Sequence, residues 1–268
     1  MSLLITTAYF RRLCIVDSLR LLVSKGFDSV ELNFSSIARC ETSVEPDTIV
    51  HLCRELGVRI EQVHAPYPWM LFGKQETRDP LKLAEKYCSI LAPFVEKLSP
   101  RVLVFHPLHR GYVNDTYGFN RRFFDEVKKR FNGLGLTLAL ENLVRGEEPW
   151  CSVDEVSKLA EELEVHVCLD VGHAYYAGQE PSEAAEKLLK KRVLATMHIH
   201  DNYGSKDLHL LPFMGRIRWG RLVEVLRRFG YKGNLVVETG CDDYVDVCLN
   251  RLEILKFMRP YLENLHLP

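Results

Sequence analysis

The 268-residue sequence lacks long apolar runs, Cys-X-X-Cys pairs and the glycine-rich turn of dinucleotide-binding sheets, and it has almost no net charge. Without an apolar run of about 18 residues, we expect no membrane-spanning helix. The short apolar stretch near the N-terminus follows no positively charged region, so it does not look like a secretory signal, and we expect a cytoplasmic protein. The formal net charge is −1, so the sequence has no overall excess of basic residues for nucleic-acid binding. The net charge does not exclude a local basic groove.

The eight cysteines do not have the spacing of a structural zinc ribbon, because no two of them are separated by only two residues. We interpret them mainly as buried thiols, which behave as small apolar side chains. The short spacing of Cys241 and Cys248 also allows a local disulfide between them. The full set is Cys14, Cys40, Cys53, Cys88, Cys151, Cys168, Cys241 and Cys248.

Eight short apolar, β-branched runs alternate with amphipathic helical stretches. The runs are LLITT (3–7), SVELN (29–33), IEQVH (60–64), VLVFH (102–106), TLALE (137–141), HVCLD (166–170), ATMHIH (195–200) and NLVVE (234–238). Strands that are apolar on both faces and separated by helices form parallel sheets. Eight such units, at spacings of roughly 30 to 40 residues, favour a closed barrel over an open doubly wound sheet. We therefore predict an α/β protein with one (β/α)8-barrel domain over residues 1–268.

Six of the eight runs end on a residue that can bind a metal ion. These residues are His64, His106, Glu141, Asp170, His198 (with His200, the last residue of its run) and Glu238. In a (β/α)8 barrel the carboxyl ends of the strands ring the active-site mouth. Converging carboxylates repel each other unless a cation lies between them. Mixed His and carboxylate ligands suit Zn²⁺ or Mn²⁺ better than Mg²⁺ or Ca²⁺, so we predict a site for one to three divalent ions.

Two further segments extend this group. Asp170-Val-Gly-His173 places a histidine just past the sixth run, and His198-Ile-His200 places two histidines on one face of the seventh. If the loop that contains Asp207 and His209 is extended, the two side chains point in the same direction. The alternative interpretation is that both side chains lie in a loop exposed to solvent. His173, Asp207 and His209 are therefore added to the predicted metal ligands.

The motifs VHAPY, FHP, LENL, LDVGH, HIHDN, DLH and VVET together resemble the xylose isomerase-like TIM-barrel superfamily, which includes sugar isomerases and epimerases and endonuclease IV. The resemblance to single-metal sugar epimerases implies a ligand quartet of Glu141, Asp170, His198 and Glu238. It also implies proton transfer by Glu141 and Glu238, and substrate contact by His173 and Glu147. Where those epimerases carry a substrate-binding arginine, Gly204 stands here.

The resemblance to endonuclease IV implies a trinuclear zinc site. Nine positions match its ligands: His64, His106, Glu141, Asp170, His173, His198, Asp207, His209 and Glu238. Tyr67 matches a tyrosine three residues past the first of these histidines. The Gly-Ala-His-Val opening of that nuclease family is absent, and NFSSIARCE stands where its DNA-intercalating loop is expected.

Two enzyme functions follow from these patterns. The first is a metal-dependent isomerase or epimerase of a sugar or sugar phosphate, with Glu141, Glu238 and His173 as catalytic residues. In it Tyr67, Trp69, Glu147 and His200 are candidate substrate-binding residues. The second is a zinc-dependent phosphoesterase or abasic-site endonuclease, and only this alternative has nucleic acid as a partner. The sequence also allows a non-catalytic barrel that binds a metal ion, and it allows a homo-oligomer.

Overall fold

The computed structural model of the protein describes residues 2–71 and 79–263, so the predicted domain range extends beyond the described residues. Eight parallel strands pair in sequence order and close into a barrel, which confirms the predicted fold class. The strands are β1 (Ser2–Thr6), β2 (Ser29–Asn33), β3 (Arg59–His64), β4 (Val102–Phe105), β5 (Thr137–Glu141), β6 (His166–Asp170), β7 (Leu194–Ile199) and β8 (Asn234–Val237). Each differs from the predicted run by at most one residue at either end.

Helices follow the strands, and the longer ones cover the outside of the barrel. They are α1 (Ile15–Ser24), α2 (Phe34–Ile37), α3 (Pro46–Leu56), α4 (Pro68–Leu71), α5 (Pro80–Leu98), α6 (Thr116–Phe131), α7 (Val153–Leu163), α8 (Val171–Tyr176), α9 (Pro181–Lys191), α10 (Trp219–Arg228) and α11 (Val245–Glu263). Among the described residues, no helix is both long and apolar enough to cross a membrane.

Local sequence explains where several of these helices begin and end. The side chain of Asp79 accepts hydrogen bonds from the first backbone N–H groups of α5, and Ser152 does the same for α7. Gly57 ends α3 with a φ of 67°, a left-handed conformation that glycine adopts without a steric penalty. Leu83, Leu91 and the other apolar residues of one face of α5 are buried against the barrel.

The interior of the barrel changes from apolar to polar along the strand direction. Val102, Val104, Ala139 and Cys168 form a small apolar cluster inside the barrel, separate from the main core between strands and helices. Because strand side chains alternate between the two faces, the residues two positions further on also point inward. These include Glu141 and Asp170, so the strand period itself places the polar residues at the carboxyl end of the barrel.

Four of the eight cysteines form disulfides, which corrects the interpretation of the cysteines as mainly thiols. Cys14 bonds to Cys40, and Cys241 bonds to Cys248, the local pair that the sequence left open. Cys53, Cys88, Cys151 and Cys168 are free thiols. The Cys14–Cys40 pair was missed because 26 residues separate its members, and only the packing of neighbouring βα units brings their Cα atoms to 4.6 Å. Both bridges lie in segments that follow the carboxyl ends of strands.

Candidate metal centre

Glu141 at the end of β5 is the centre of the polar layer. Its Oε2 lies 3.1 Å from Nε2 of His64, 3.3 Å from Nε2 of His106 and 3.2 Å from Nδ1 of His198. Glu141 is 1% exposed, so this carboxylate is almost completely buried. A buried carboxylate among three imidazoles is a preformed arrangement of hard and borderline donors.

A second group of donors shares Glu141 and His198 with the first. Glu141, Asp170, His198 and Glu238 each offer one ligand atom, and these atoms all lie within 4.8 Å of one another. His198 Nδ1 lies 3.4 Å from Oε2 of Glu238 at the end of β8. This is the quartet that the resemblance to single-metal epimerases implied.

A third group lies beside the second, on α8 and on the segments that follow β7. His173, His200, Asp207 and His209 again offer ligand atoms within 4.8 Å of one another. Asp207 Oδ2 lies 2.9 Å from Nε2 of His209 and 3.6 Å from Nε2 of His173. Asp170 joins this group to the second, because its Oδ1 lies 3.0 Å from Nε2 of His200. Asp207 and His209 therefore belong to the cluster and are not part of a solvated loop.

Several ligand atoms in these groups are buried and have no hydrogen-bond partner among the described residues. They are His106 Nε2, Glu141 Oε1, His198 Nδ1, His200 Nδ1, Asp207 Oδ1 and Glu238 Oε2. Buried polar groups in proteins are nearly always hydrogen-bonded, so an accumulation of exceptions in one place requires an explanation. These orphaned atoms and the mixed donor set are compatible with a divalent metal site.

The carboxylates of the cluster keep their charge because histidines surround them. Burial raises the pKa of Glu141, but His198 and His106 outweigh burial and hold that pKa well below its usual value. Burial likewise raises the pKa of Asp170, yet His173 and His200 bring it to about 2. Burial lowers the pKa of His198, and Cys168 and Glu141 reverse this and raise it well above the usual value. The anionic cluster thus needs positive charge at its centre, which a metal dication supplies equally well.

Backbone carbonyls fix the ring orientation of three histidines. Nδ1 of His64 lies 2.7 Å from the carbonyl oxygen of Ala65, and Nδ1 of His173 lies 3.0 Å from that of Asn142. Nδ1 of His209 lies 2.6 Å from the carbonyl oxygen of Glu238. Because each Nδ1–H donates to a carbonyl, each Nε2 is directed at the cluster, and in the neutral ring that metal binding requires it carries the lone pair.

Sequence reasoning missed Glu31, which orients His198 from below. Glu31 is fully buried in β2, and its Oε2 lies 2.9 Å from Nε2 of His198. Gln62 donates to the same oxygen at 2.7 Å, and Thr196 donates to Gln62. With Nε2–H held by Glu31, Nδ1 of His198 faces Glu141 and Glu238, and in the neutral ring that metal binding requires it carries the lone pair. Glu31 occupies mid-strand rather than the strand end, so only the inward period of β2 could have indicated it.

The glycine of the Asp-Val-Gly-His motif has a packing role. A Cβ atom at Gly172 would lie 1.9 Å from Cε1 of His200. His200 is fully buried, hydrogen-bonded to Asp170 and stacked on His209 with ring centroids 3.9 Å apart. His200 does not line the cavity described below. Its position therefore favours binding a metal ion, or orienting a neighbouring residue, over the expected contact with substrate.

A cavity of about 200 Å³ opens above the cluster. Glu141, His173 and Glu238 form part of its floor, and Tyr67, Trp69 and Glu147, three of the predicted substrate-binding residues, lie in its wall. Trp69 is 65% exposed and stacks on Tyr67, with ring planes 4° apart and centroids at 5.8 Å. The remaining lining residues are Pro68, His106, Pro107, His109, Tyr112, Leu143, Val144, Asp207 and His209.

The chain belongs to the xylose isomerase-like TIM barrel family, whose model matches residues 19–261. It is 33% identical over 153 residues to the uncharacterized protein y4fM of Sinorhizobium fredii. That match covers 53% of this chain and 42% of the relative, so the chain matches less than half of the relative's length.

Two solved structures illustrate the range of proteins that share the fold. D-psicose 3-epimerase from Clostridium cellulolyticum H10, solved with D-tagatose, superposes with a TM-score of 0.76 at 19% identity, over 98% of this chain and 100% of that one. A family 2 AP endonuclease from Brucella melitensis gives 0.75 at 17% identity, over 97% and 98%. At these identities the likeness establishes the fold.

Proposed function

We propose that the protein is a metal-dependent sugar isomerase or epimerase. The observation that carries this proposal is the placement of Glu141 and Glu238, two buried carboxylates that belong to one donor group and also line one cavity. Two carboxylates in reach of one bound substrate can remove a proton from carbon and return a proton to it. The family and its sugar-epimerase neighbours support the same reaction class.

Glu141, Asp170, His198 and Glu238 would hold the reaction's divalent ion, with Zn²⁺ or Mn²⁺ matching the donor set. When bound, the ion acts as a Lewis acid that polarises the substrate carbonyl. Glu31 keeps His198 oriented for this role. The ligand residues also exclude water beneath the substrate, since Glu141, Asp170 and His198 are at most 1% exposed.

The proton transfer falls to the two glutamates. One carboxylate oxygen takes the proton from the carbon next to the carbonyl, and the C–H electron pair forms a carbon–carbon double bond while the carbonyl oxygen takes the negative charge. The other glutamate, once it has taken up a proton from solvent, gives that proton to carbon; the electron pair of the double bond forms the new C–H bond, and the carbonyl re-forms. His173, which lines the same cavity, helps to stabilise the charge on the substrate oxygens. Glu147 binds a substrate hydroxyl.

Exchange of carbon-bound hydrogen with D2O tests this proposal. The metal-loaded protein is incubated with free ketoses, free aldoses and their phosphate esters, and NMR follows the loss of the proton next to the carbonyl. We expect exchange with at least one sugar, lowered about 100-fold or more in Glu238→Gln and unchanged in Glu224→Gln, an exposed residue of α10. Absence of exchange from every sugar, with metal bound, would overturn the proposal.

A zinc-dependent phosphoesterase is the second candidate, and the third donor group favours it. A single-metal epimerase needs only the Glu141 quartet, whereas His173, Asp207 and His209 supply ligands for a further ion. Clustered ions suit hydrolysis because they generate hydroxide and clamp both oxygens of the displacement. Cleavage of an abasic-site duplex by the zinc-loaded protein, lost in Asp207→Asn, would establish this alternative over the isomerase.

A further inference from the structure

His109 and Glu147 face each other across the cavity wall, on two loops that are tied together. Nε2 of His109 lies 3.6 Å from Oε1 of Glu147. The backbone N–H of Arg110 donates to the carbonyl of Glu148 at 3.0 Å, which joins the segment after β4 to the segment after β5. The indole N–H of Trp150 adds a second tie by donating to the carbonyl of Leu108 at 2.7 Å. The two side chains are thus held at a defined separation.

The backbone also fixes the tautomer of His109. Gly111 donates its N–H to Nδ1 of His109 at 3.1 Å, so the hydrogen of the neutral ring resides on Nε2. Burial lowers the pKa of His109, although Glu147 opposes this, and the ring is neutral near pH 7. Nε2–H is therefore a donor that points toward a carboxylate acceptor.

Close packing holds the ring of His109 in this position. A Cβ atom on Gly111 would lie 2.6 Å from Cε1 of His109, so only glycine leaves room for the ring. Tyr112 contacts the other side of His109, with ring centroids 4.8 Å apart at an angle of 77°. The donor is positioned before any ligand binds, which reduces the entropic cost of binding.

The separation of donor and acceptor lets one hydroxyl oxygen, lying to the side of the line that joins them, contact both atoms. At 3.6 Å the pair is longer than a hydrogen bond of about 2.7–3.2 Å, so each atom can bond elsewhere. A hydroxyl accepts from Nε2–H and donates to the carboxylate at the same time. A phosphate or carboxylate would instead meet the charge of Glu147, and no Lys or Arg lies in the described part of the cavity lining to offset it.

We propose that His109 and Glu147 form a hydroxyl-binding subsite that holds the non-reacting end of a neutral polyhydroxylated substrate. His109 is the specificity-determining residue, and the subsite selects free sugars over their phosphate esters. This inference rests on the proposed isomerase or epimerase function and names its substrate class. The stacked rings of Tyr67 and Trp69 in the same wall give the sugar's C–H groups an apolar surface.

Steady-state kinetics of the metal-loaded enzyme test the subsite, with the free sugar that gives the fastest proton exchange and its phosphate esters. For His109→Ala we expect KM to rise about three- to tenfold, the worth of one neutral hydrogen bond, with kcat nearly unchanged. His109→Asn, which keeps an N–H donor, restores part of the loss. His51→Ala, an exposed histidine on α3, is the matched control and leaves KM unchanged.

Glu147→Gln tests the selection against charge. It keeps the size of the side chain and an acceptor oxygen but removes the negative charge, so the preference for free sugar over phosphate ester falls. An unchanged KM in His109→Ala, a loss of kcat alone, or a wild-type preference for the phosphate ester would each overturn the subsite.

Failure of the proposed function is distinguishable from failure of the subsite. If the wild-type enzyme exchanges hydrogen with no sugar, the reaction assignment fails. Calorimetric binding of xylitol to the metal-loaded protein then tests the subsite directly. Weaker xylitol binding by His109→Ala than by wild type and His51→Ala supports the subsite, and equal binding by all three overturns it.

Discussion

The imidazole of His198 is held between two carboxylates, with Nε2 at 2.9 Å from Glu31 and Nδ1 at 3.2 Å from Glu141. A neutral ring has one hydrogen to donate, and the hydrogen bond from Gln62 holds the Glu31 carboxyl in place beside Nε2 to accept it. This arrangement resembles the carboxylate–histidine pairs that orient metal ligands elsewhere. It gives the buried Glu31 of β2 a function that its sequence position did not indicate.

Replacing Glu31 therefore tests the orientation of His198. Glu31→Gln keeps the volume but lets an amide compete as donor, so Nδ1 of His198 is no longer held as a lone-pair donor. We expect metal affinity to fall about 10- to 100-fold, measured by competition with a chromogenic chelator. Glu162→Gln, an exposed residue on α7, is the control. An affinity in Glu31→Gln equal to that of the control would show that His198 needs no such support.

Metal removal should destabilise the protein, because it leaves the converging carboxylates without a central dication. An ion present at about 100 times its dissociation constant adds about 2.7 kcal/mol to the free energy of unfolding. We expect treatment with EDTA to lower Tm and re-addition of Zn²⁺ or Mn²⁺ to restore it. Elemental analysis should count one to three ions per chain. Identical melting curves with and without EDTA would argue against any bound ion.

Gly172→Ala should disturb the cluster through His200. The added Cβ lies 1.9 Å from the imidazole, so the ring must move away from Asp170. Forcing an atom into a packed interior costs about 1–3 kcal/mol, and metal affinity should fall with stability. Gly220→Ala in α10 is a matched control, because nothing lies within 4 Å of its new Cβ and alanine favours the helix. The prediction fails if both variants keep the stability and metal affinity of wild type.

The two disulfides should contribute unequally to stability. By loop entropy, the Cys14–Cys40 bridge, with a sequence separation of 26, stabilises by about 3.5 kcal/mol. The Cys241–Cys248 bridge, with a separation of 7, contributes about 2.4 kcal/mol. Denaturant unfolding of the Cys14→Ser/Cys40→Ser and Cys241→Ser/Cys248→Ser double variants measures each contribution. Mass spectrometry that finds eight free thiols in the native protein would contradict both assignments.

The sequence predicted the barrel and the convergence of His64, His106, Glu141, Asp170, His198 and Glu238 because both follow from one regularity, a polar residue at or near the end of an apolar strand. His173, Asp207 and His209 lie beyond the strands, and local spacing and the family resemblance indicated them. It could not identify Glu31, because this residue lies in the middle of β2. An inward-facing carboxylate and an inward-facing apolar residue occupy the same alternate positions of a strand, so spacing does not distinguish them. It also missed His109, since its role depends on a tautomer that Gly111 fixes through tertiary geometry. Cys14 and Cys40 were missed for the same reason, because neighbouring βα units bring them together.

The exposed indole of Trp69 has a practical consequence. The chain has three tryptophans, and Trp150 and Trp219 are at most 4% exposed, whereas Trp69 is 65% exposed at the cavity rim. The solvent-sensitive part of the intrinsic fluorescence therefore originates at the cavity rim. The protein carries its own optical reporter, and a spectral shift on adding a sugar signals occupancy of the cavity without any label or turnover.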